Sequence, residues 1–456
     1  MSQSINSTID DGQQPSTPAR QIKLGAFLIP TGHHVGAWRH SDVPADRGLN
    51  FSHYKNLAQT AERALFDAVF VADNVAVTLG KGADKVARAD YFEPLTLMAA
   101  LSAVTEHIGL ICTQTTSFNE PYHIARKFAS LDYLSNGRVG WNLVTSDAAA
   151  EATNFGRAEH FAHSERYERA EEFFEVVSGL WDSWDDDAFI RNKTTGQYYD
   201  PQKLHVLNHT GKHFSVSGPL NVARPVQGRP VIVQAGSSEA GRTLAARTAD
   251  VVFTAHPALA PAQDFYRDIK NRAAQFGRDP DSVKIMPGIY VVVGKTTAEA
   301  QEKFEQLQQL IEPEAGLALL GRMIGNFDLS GYPLDEPLPE LPLTETGQRS
   351  RQALLTGLAK DGNLTIRQLY TRIAGGRGHN VVIGTAERVA DVMQEWFEQG
   401  AADGFNLLSP MLPSGLNDFA DLVVPELQKR GLFRTEYEGA TLRDRLGLTR
   451  PTSRYE

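Results

Sequence analysis

The sequence predicts an α/β chain folded as one (β/α)8 TIM-type barrel that carries two long insertions. Three observations predict it. Runs of Val, Ile, Leu, Phe and Ala without polar alternation recur eight times, the pattern of strands covered on both faces as in parallel sheets. Helical spacings occupy the stretches between them. The chain has 456 residues, whereas a barrel of this kind needs about 250, so the surplus must sit in insertions.

The eight runs are 23–29, 68–72, 108–112, 139–144, 231–235, 251–255, 285–293 and 405–408. After the first, Leu57, Ala61 and Leu65 share a helix face. After the third, Ile124, Phe128 and Leu131 do the same, with Pro121 suited to the helix start. Tyr167, Ala170, Phe174, Val177 and Trp181 follow the same spacing after the fourth run, and Val389, Val392, Met393 and Trp396 before the eighth. Eight buried strands alternating with helices favour a closed barrel over an open doubly wound sheet. The domain is placed at 21–448, between tails at 1–20 and 449–456, with insertions at about 183–228 and 312–380. The second insertion contains YPLDEPLPELPLTETG, whose prolines exclude a regular element and suggest an excursion over the barrel mouth.

Composition narrows the function. Hydrophobic residues at 41% and charged residues at 22% describe a soluble globular chain. Lys plus Arg at 45 against Asp plus Glu at 55 gives a net charge of −10, which argues against charge-driven binding to nucleic acid or membrane. A single cysteine, Cys112, allows no intrachain disulfide and no cysteine-based metal site, so the chain suits a reducing cytoplasm. The first twenty residues are polar and lack the basic start and apolar core of a secretory signal, and no segment approaches the roughly 20 apolar residues of a membrane span.

Loops that follow barrel strands build the active site in this architecture, so they supply the candidates. PTGHHVGAWRHSD after the first strand holds His33, His34, Trp38, Arg39 and His40, a set of proton-transfer groups beside an aromatic wall, or else a solvated polar loop. Adjacent His33 and His34 cannot both face one ion, and the fourth strand's end, WNLVTS, holds no carboxylate or cysteine, so no metal site is expected. Gly236, Ser237 and Ser238 precede a helix-forming run, which suits a phosphate bound by converging amides, or a plain N-cap. Thr113 and Asn142 at strand ends can bond a polar heterocycle or finish the strands themselves. Asp73 closes the second strand as a cap, an ion-pair partner or a ligand contact. His163 and Tyr167 lie four apart at the opening of a helix that Ser164 can cap. VVVGKTT fails as a P-loop because Ile289 stands where its first glycine belongs, and neither a GxGxxG opening nor a GxSxG elbow occurs.

Eight segments carry a resemblance: HVGAWRHSD, LFDAVFVADNVAV, LSAVTEHIGL, LDYLSNGRVGWNLVTS, ERYERAEEFFEVVSGLWDSWDDDA, VIVQAGSSEAGR, GAADGF and FRTEYEGATLRDRLGL. In this order the chain, from about residue 22 to 448, resembles the bacterial-luciferase-like flavin monooxygenases, in the group of nitrilotriacetate monooxygenase component A, dibenzothiophene-sulfone monooxygenase and the pristinamycin synthase large subunit. The resemblance implies a (β/α)8 barrel that receives reduced FMN from a separate NAD(P)H:FMN reductase and uses O2 to form a flavin peroxide at its mouth. It implies Asp73, Thr113, His163, Tyr167 and Ser238 as flavin contacts, with Asn142 and Ser237 beside them. His33 and His40 are candidates for hydrogen bonds to peroxide or substrate, and Phe70 for the substrate wall. The implied substrate is a small organosulfur compound or aminopolycarboxylate, and the implied assembly a homodimer or homotetramer. A metal-dependent barrel hydrolase and a non-enzymatic flavin-binding protein are the alternatives.

Overall fold

The computed structural model describes residues 20–44, 46–146, 148–342 and 349–456; apart from Arg20, the expected N-terminal tail lies outside the described residues. Nine parallel strands form one sheet: β1 (Lys23–Phe27), β2 (Ala68–Val71), β3 (Gly109–Thr115), β4 (Val139–Val144), β5 (Val231–Gln234), β6 (Val251–Thr254), β7 (Lys284–Val293), β8 (Asn380–Gly384) and β9 (Gly404–Leu408). Each of β1 to β6 pairs with its successor, β6 reaches β7 and β7 reaches β9. The return pairing of β9 with β1 closes an eight-stranded barrel. Strand β8 stands outside it, paired through Asn380–Gly384 with Ile289–Val293 above the point where β6 leaves β7 at Pro287.

Side-chain alternation sorts the strands into an inner and an outer face. Inside, Ala68, Phe70, Ile111, Val231, Val233, Val251 and Met286 pack together. Outside, Leu24, Val69, Leu110, Cys112, Trp141 and Ile232 join the helices in the largest apolar core. Among the described residues the helices of eight or more residues are α1 (Phe51–Arg63), α2 (Pro94–Ser102), α3 (Pro121–Leu134), α4 (His163–Trp181), α5 (Glu239–Thr248), α6 (Leu259–Gln275), α7 (Thr297–Gln309), α8 (Pro313–Met323), α9 (Arg349–Asp361), α10 (Ile366–Ile373) and α11 (Ala386–Glu398), of which α8, α9 and α10 build a separate core of their own.

The bottom of the barrel is closed by the C-terminal segment. Leu442, Leu446 and Leu448 enter the inner core. Gly109 makes room for this, since a Cβ there would meet Leu442 Cδ1 at 2.5 Å. Three aspartates then tie strand starts to cations. Asp67 accepts from Leu24 N (2.7 Å) and pairs with Arg434. Asp250 accepts from Ile232 N (2.9 Å) and pairs with Arg443 (2.8 Å). Asp403 accepts from Ile285 N (2.9 Å) and pairs with Lys270 (3.1 Å) and Arg20 (3.0 Å). Two of these aspartates belong to the LFDAVF and GAADGF segments singled out above.

Several local expectations need correction. Strand β3 runs on through Thr113, Gln114 and Thr115, all buried, because its upper end is covered although it is polar. Leu65 lies past the end of α1 at φ 63°, not on its face. Helix α4 is capped at Ala162 without a side-chain bond, so Ser164 is inside it, and Phe173 is buried where Phe174 is only half-buried. The described part of the proline-rich stretch does not extend across the mouth. It packs Leu334, Leu338 and Leu341 on the second insertion's own core and pairs Pro337 with Thr365. Helix α8 is the part of that insertion that reaches the loop after β2, where its Glu314 packs on Gly82. The first insertion holds a short hairpin, His209–Thr210 with Ser215–Val216, and residues 449–456 dock beside it, Tyr455 stacking on His205 at 4.0 Å.

Candidate functional site at the barrel mouth

Thr113 and Asn142 are neighbours across β3 and β4, and alternation turns both into the upper barrel. Thr113 Oγ1 donates to Val71 O (3.0 Å) and accepts from Asn142 Nδ2 (2.7 Å). Asn142 Oδ1 is buried with no donor among the described residues. Below them Phe70 meets Phe27 edge to face at 4.7 Å and lies 6.0 Å from Phe253, an apolar floor.

The turn after β5 is built on two glycines pressed together. A Cβ on Gly236 would meet Gly241 Cα at 2.8 Å, and one on Gly241 would meet Gly236 Cα at 2.9 Å, so neither position takes a side chain without opening the turn. Ser238 is the N-cap of α5; its Oγ accepts from Gly241 N (3.2 Å) and donates to Tyr167 Oη (3.3 Å). The amides of Glu239 and Ala240 have no acceptor within the helix and point out of its positive end. Ser237 O accepts from Arg242 Nε at 3.0 Å. His163 packs its ring 4.9 Å from that of Tyr167 at the start of α4. The structure thus brings together Ser237, Ser238, Tyr167 and His163 from two separate loops.

Asp73 lies two residues past the end of β2 and accepts from Asn74 N (2.9 Å). Burial, with Glu93 and Glu151 nearby, pushes its carboxyl up to about 6. His33 is fully buried, 4.6 Å from Phe27, with Nε2 at 3.0 Å from Phe27 O. A carbonyl only accepts, so Nε2 carries the proton and Nδ1 is left as a buried acceptor without a donor. Burial, reinforced by Arg377, holds this imidazole neutral well below its ordinary titration range. His33 therefore presents a lone pair, not a proton. His34 is likewise held neutral by burial, titrating at about 4. His40 does not join this group. Its side chain is 14% exposed, and its Nδ1 accepts from Asp42 N (3.2 Å) within its own loop.

Sequence reading missed Arg88, Arg322, Arg377, His256 and His379. Arg377 donates to His33 O (2.9 Å), and the ring of His379 lies 5.3 Å from Phe253. Their signal is GGRGHN at 375–380, a glycine-rich run holding a cation and an imidazole at the end of the second insertion. His256, after β6, contacts Thr254 Oγ1 at 3.0 Å and is pushed down to about 4 by burial and by Arg242 and Arg351. Among the described residues no three His, Cys, Asp or Glu side chains are arranged to hold a metal ion, and no helix is long and apolar enough to cross a membrane.

A closed barrel whose mouth joins a glycine-paired helix start to a buried polar and aromatic chamber defines the class of cofactor-binding barrel enzymes. The family model described as luciferase-like monooxygenase matches residues 26–403, and the chain belongs to that family. It is 53% identical to N-acetyl-S-(2-succino)cysteine monooxygenase of Bacillus subtilis strain 168, over 96% of this chain and 98% of that one. It is 49% identical to nitrilotriacetate monooxygenase component A of Aminobacter aminovorans, over 95% and 97%. A crystal structure of riboflavin lyase with modified FMN and riboflavin superposes with a TM-score of 0.85 at 34% identity, covering 94% of this chain and 96% of that one. The protein is an oxidoreductase, a flavin-dependent monooxygenase.

Proposed function

We propose that the protein is the oxygenating component of a two-component system. It takes reduced FMN as a diffusible co-substrate from a separate NAD(P)H:FMN reductase in the cytoplasm, and it oxygenates a small organosulfur compound or aminopolycarboxylate with O2. The observation that carries the cofactor assignment is the Gly236 and Gly241 turn, which brings backbone amides, Ser238 and Tyr167 to one point at the start of α5. Those groups suit a phosphate, held by Ser237, Ser238 and Tyr167. Thr113, Asn142, Asp73 and His163 would hold the ring system. The orphan acceptor Asn142 Oδ1 fits it, since reduction adds an N–H at flavin N5 and removes an acceptor there.

Reduced FMN supplies the two electrons that activate O2, with one oxygen atom passing to the substrate and the other leaving as water. The chain's own part is to orient and to shield. Phe27, Phe70 and Phe253 form a floor that excludes water, and His33 Nδ1 accepts a hydrogen bond from substrate or cofactor while burial, reinforced by Arg377, keeps the imidazole neutral. The relatives support the two-component scheme, because the Aminobacter protein is itself one named component. Assembly as a homodimer or homotetramer is part of the same reading.

The test is an anaerobic titration with oxidised and reduced FMN, followed by O2 with and without an added reductase. Reduced FMN should bind at least tenfold more tightly, and product should require the reductase. Steady NADH oxidation by the isolated protein would overturn the scheme.

A further inference from the structure

A second chamber lies between the loop after β2 and helix α8, a cavity of about 70 Å3 that opens to solvent. Val35, Val77, Val86 and Leu319 give it aliphatic walls, and three arginines, Arg88, Arg322 and Arg377, line it as well. Among the described residues no carboxylate lines it, and Arg88 is anchored by backbone carbonyls, those of Gly32 (3.1 Å) and Ala87 (3.1 Å). Arg377 is fixed by His33 O (2.9 Å) at a left-handed φ of 47°, with Nε buried and unpartnered. Arg322 is exposed at the rim; Glu314 and Asp328 line the outer groove beyond it, and neither pairs with it among the described residues.

Elsewhere in this chain some buried arginines meet acids, as Arg224 does with Asp182, Arg434 with Asp67 and Arg443 with Asp250, and others stand singly on backbone carbonyls, as Arg138 does on those of Ile108 and Ser102, whereas here three arginines line one chamber. Three unpaired cations facing one chamber in a chain of net charge −10 are unfavourable unless something anionic enters. Their mutual repulsion is visible in Arg88, which burial and then Arg322 push down to about 10. A guanidinium matches a carboxylate through two parallel N–H bonds, and aliphatic walls suit a carbon skeleton between such groups.

We propose that this chamber is the substrate subsite and that it selects a polycarboxylate anion, with Arg88 and Arg377 holding an inner carboxylate and Arg322 a second at the rim. The proposal rests on the monooxygenase reading and narrows its substrate to thioethers or amines that bear at least two carboxylates. The uncharged sulfones and simple sulfides within that reading are thereby excluded as preferred substrates. Since Arg377 also holds His33 O, a carboxylate bound there anchors the rest of the molecule beside the barrel mouth.

Calorimetric titration of the full-length protein with nitrilotriacetate and with N-acetyl-S-(2-succino)cysteine tests this, beside their methyl esters and inorganic phosphate. At least one acid should bind, its ester should bind at least a hundredfold more weakly, and rising salt should weaken the acid alone. Arg322→Gln, which removes no hydrogen bond, and Arg88→Gln should each weaken the acid about 10- to 100-fold, while the affinity for reduced FMN stays within about threefold. Four outcomes overturn the proposal: neither acid binding at millimolar concentration, equal binding of acid and ester, unchanged acid affinity in both variants, or phosphate competing as well as the acid. Arginine variants that lose reduced FMN instead would assign the arginines to the cofactor and also overturn it. Absence of FMN binding to the unaltered protein would defeat the cofactor reading alone, because the acid titration is read without flavin.

Discussion

Replacing Asp250 by alanine should destabilise the barrel by about 4–6 kcal/mol. The carboxylate is buried, accepts Arg443 Nη2 at 2.8 Å and Nη1 at 3.2 Å, and accepts Ile232 N at 2.9 Å. Breaking a buried ion pair by removing one partner costs about 3–5 kcal/mol, because the other charge stays behind. The orphaned Ile232 amide adds about 1–3 kcal/mol, partly overlapping the first loss. The double variant Asp250→Leu with Arg443→Met leaves no charge behind and should cost only about 1–3 kcal/mol, chiefly the amide. Urea unfolding followed by near-UV circular dichroism measures both. Burial raises the Asp250 carboxyl but Arg443 and Arg229 outweigh it, so its folded pKa is depressed. Its stabilisation is therefore complete above the ordinary carboxylate value of about 3.9 and is lost only as pH falls through the lower folded one, so the gap between wild type and variant should close only in acid. A single variant within about 1 kcal/mol of wild type, or a double variant as unstable as the single, would refute this account.

Gly236→Ala forces its Cβ onto Gly241 Cα, so thermal unfolding should show a loss of about 1–3 kcal/mol and reduced-FMN affinity should fall at least tenfold as the Ser238 turn opens. Asp73, with its folded pKa raised to about 6, favours the fold fully below its unfolded value and loses that contribution as pH rises through 6. Asp73→Asn should therefore match wild type near pH 4 and exceed it by roughly 1 kcal/mol at pH 8, after allowance for partial exposure; thermal melts across that range decide it. His33→Asn should lower product formation at least tenfold and divert reducing equivalents to hydrogen peroxide, with reduced-FMN affinity nearly normal, as product and peroxide assays on one sample will show.

The eight barrel strands were legible because each is covered on both faces, which leaves an unbroken apolar run that a sequence displays directly. Strand β8 was not, because it lies outside the barrel against β7 and its NVVIG mixes exposed, half-exposed and buried positions, Val381 being exposed. The polar top of β3 escaped for the opposite reason. Thr113 to Thr115 carry no apolar signal, yet register with Asn142 to Val144 keeps them in the sheet. In the site, Ser238 and Tyr167 were legible one by one, as a helix start and as a helix-face residue. Their hydrogen bond spans 71 positions and appears only once β4 and β5 are neighbours. Arg377 lies 344 positions from the His33 carbonyl it holds, and nothing local in GGRGHN says where the second insertion returns to the barrel. His40 shows the converse. Proximity to His33 in sequence suggested a shared role, but its Nδ1 is taken up by Asp42 N within its own loop.

The two ends of the barrel treat charge and hydrogen-bonding groups in opposite ways, and the contrast locates function without reference to any ligand. At the bottom, Asp67, Asp250 and Asp403 each have both a cation and a strand amide, so removal of water is offset within the fold itself. At the mouth, Arg88, Arg322 and Arg377 meet no carboxylate, and His33 Nδ1 and Asn142 Oδ1 meet no donor, among the described residues. Groups of the second kind oppose folding, and an apolar side chain of similar size would serve stability better at each position. On the proposed reading, the groups gathered at the mouth are matched by what binds there. The acceptors suit N–H donors and the cations suit carboxylates, which a reduced flavin and the polycarboxylate substrate proposed above would supply. Each bound partner then stabilises the fold in proportion to the logarithm of its concentration over its dissociation constant, so the unfavourable groups at the mouth become the source of the stabilisation that binding confers.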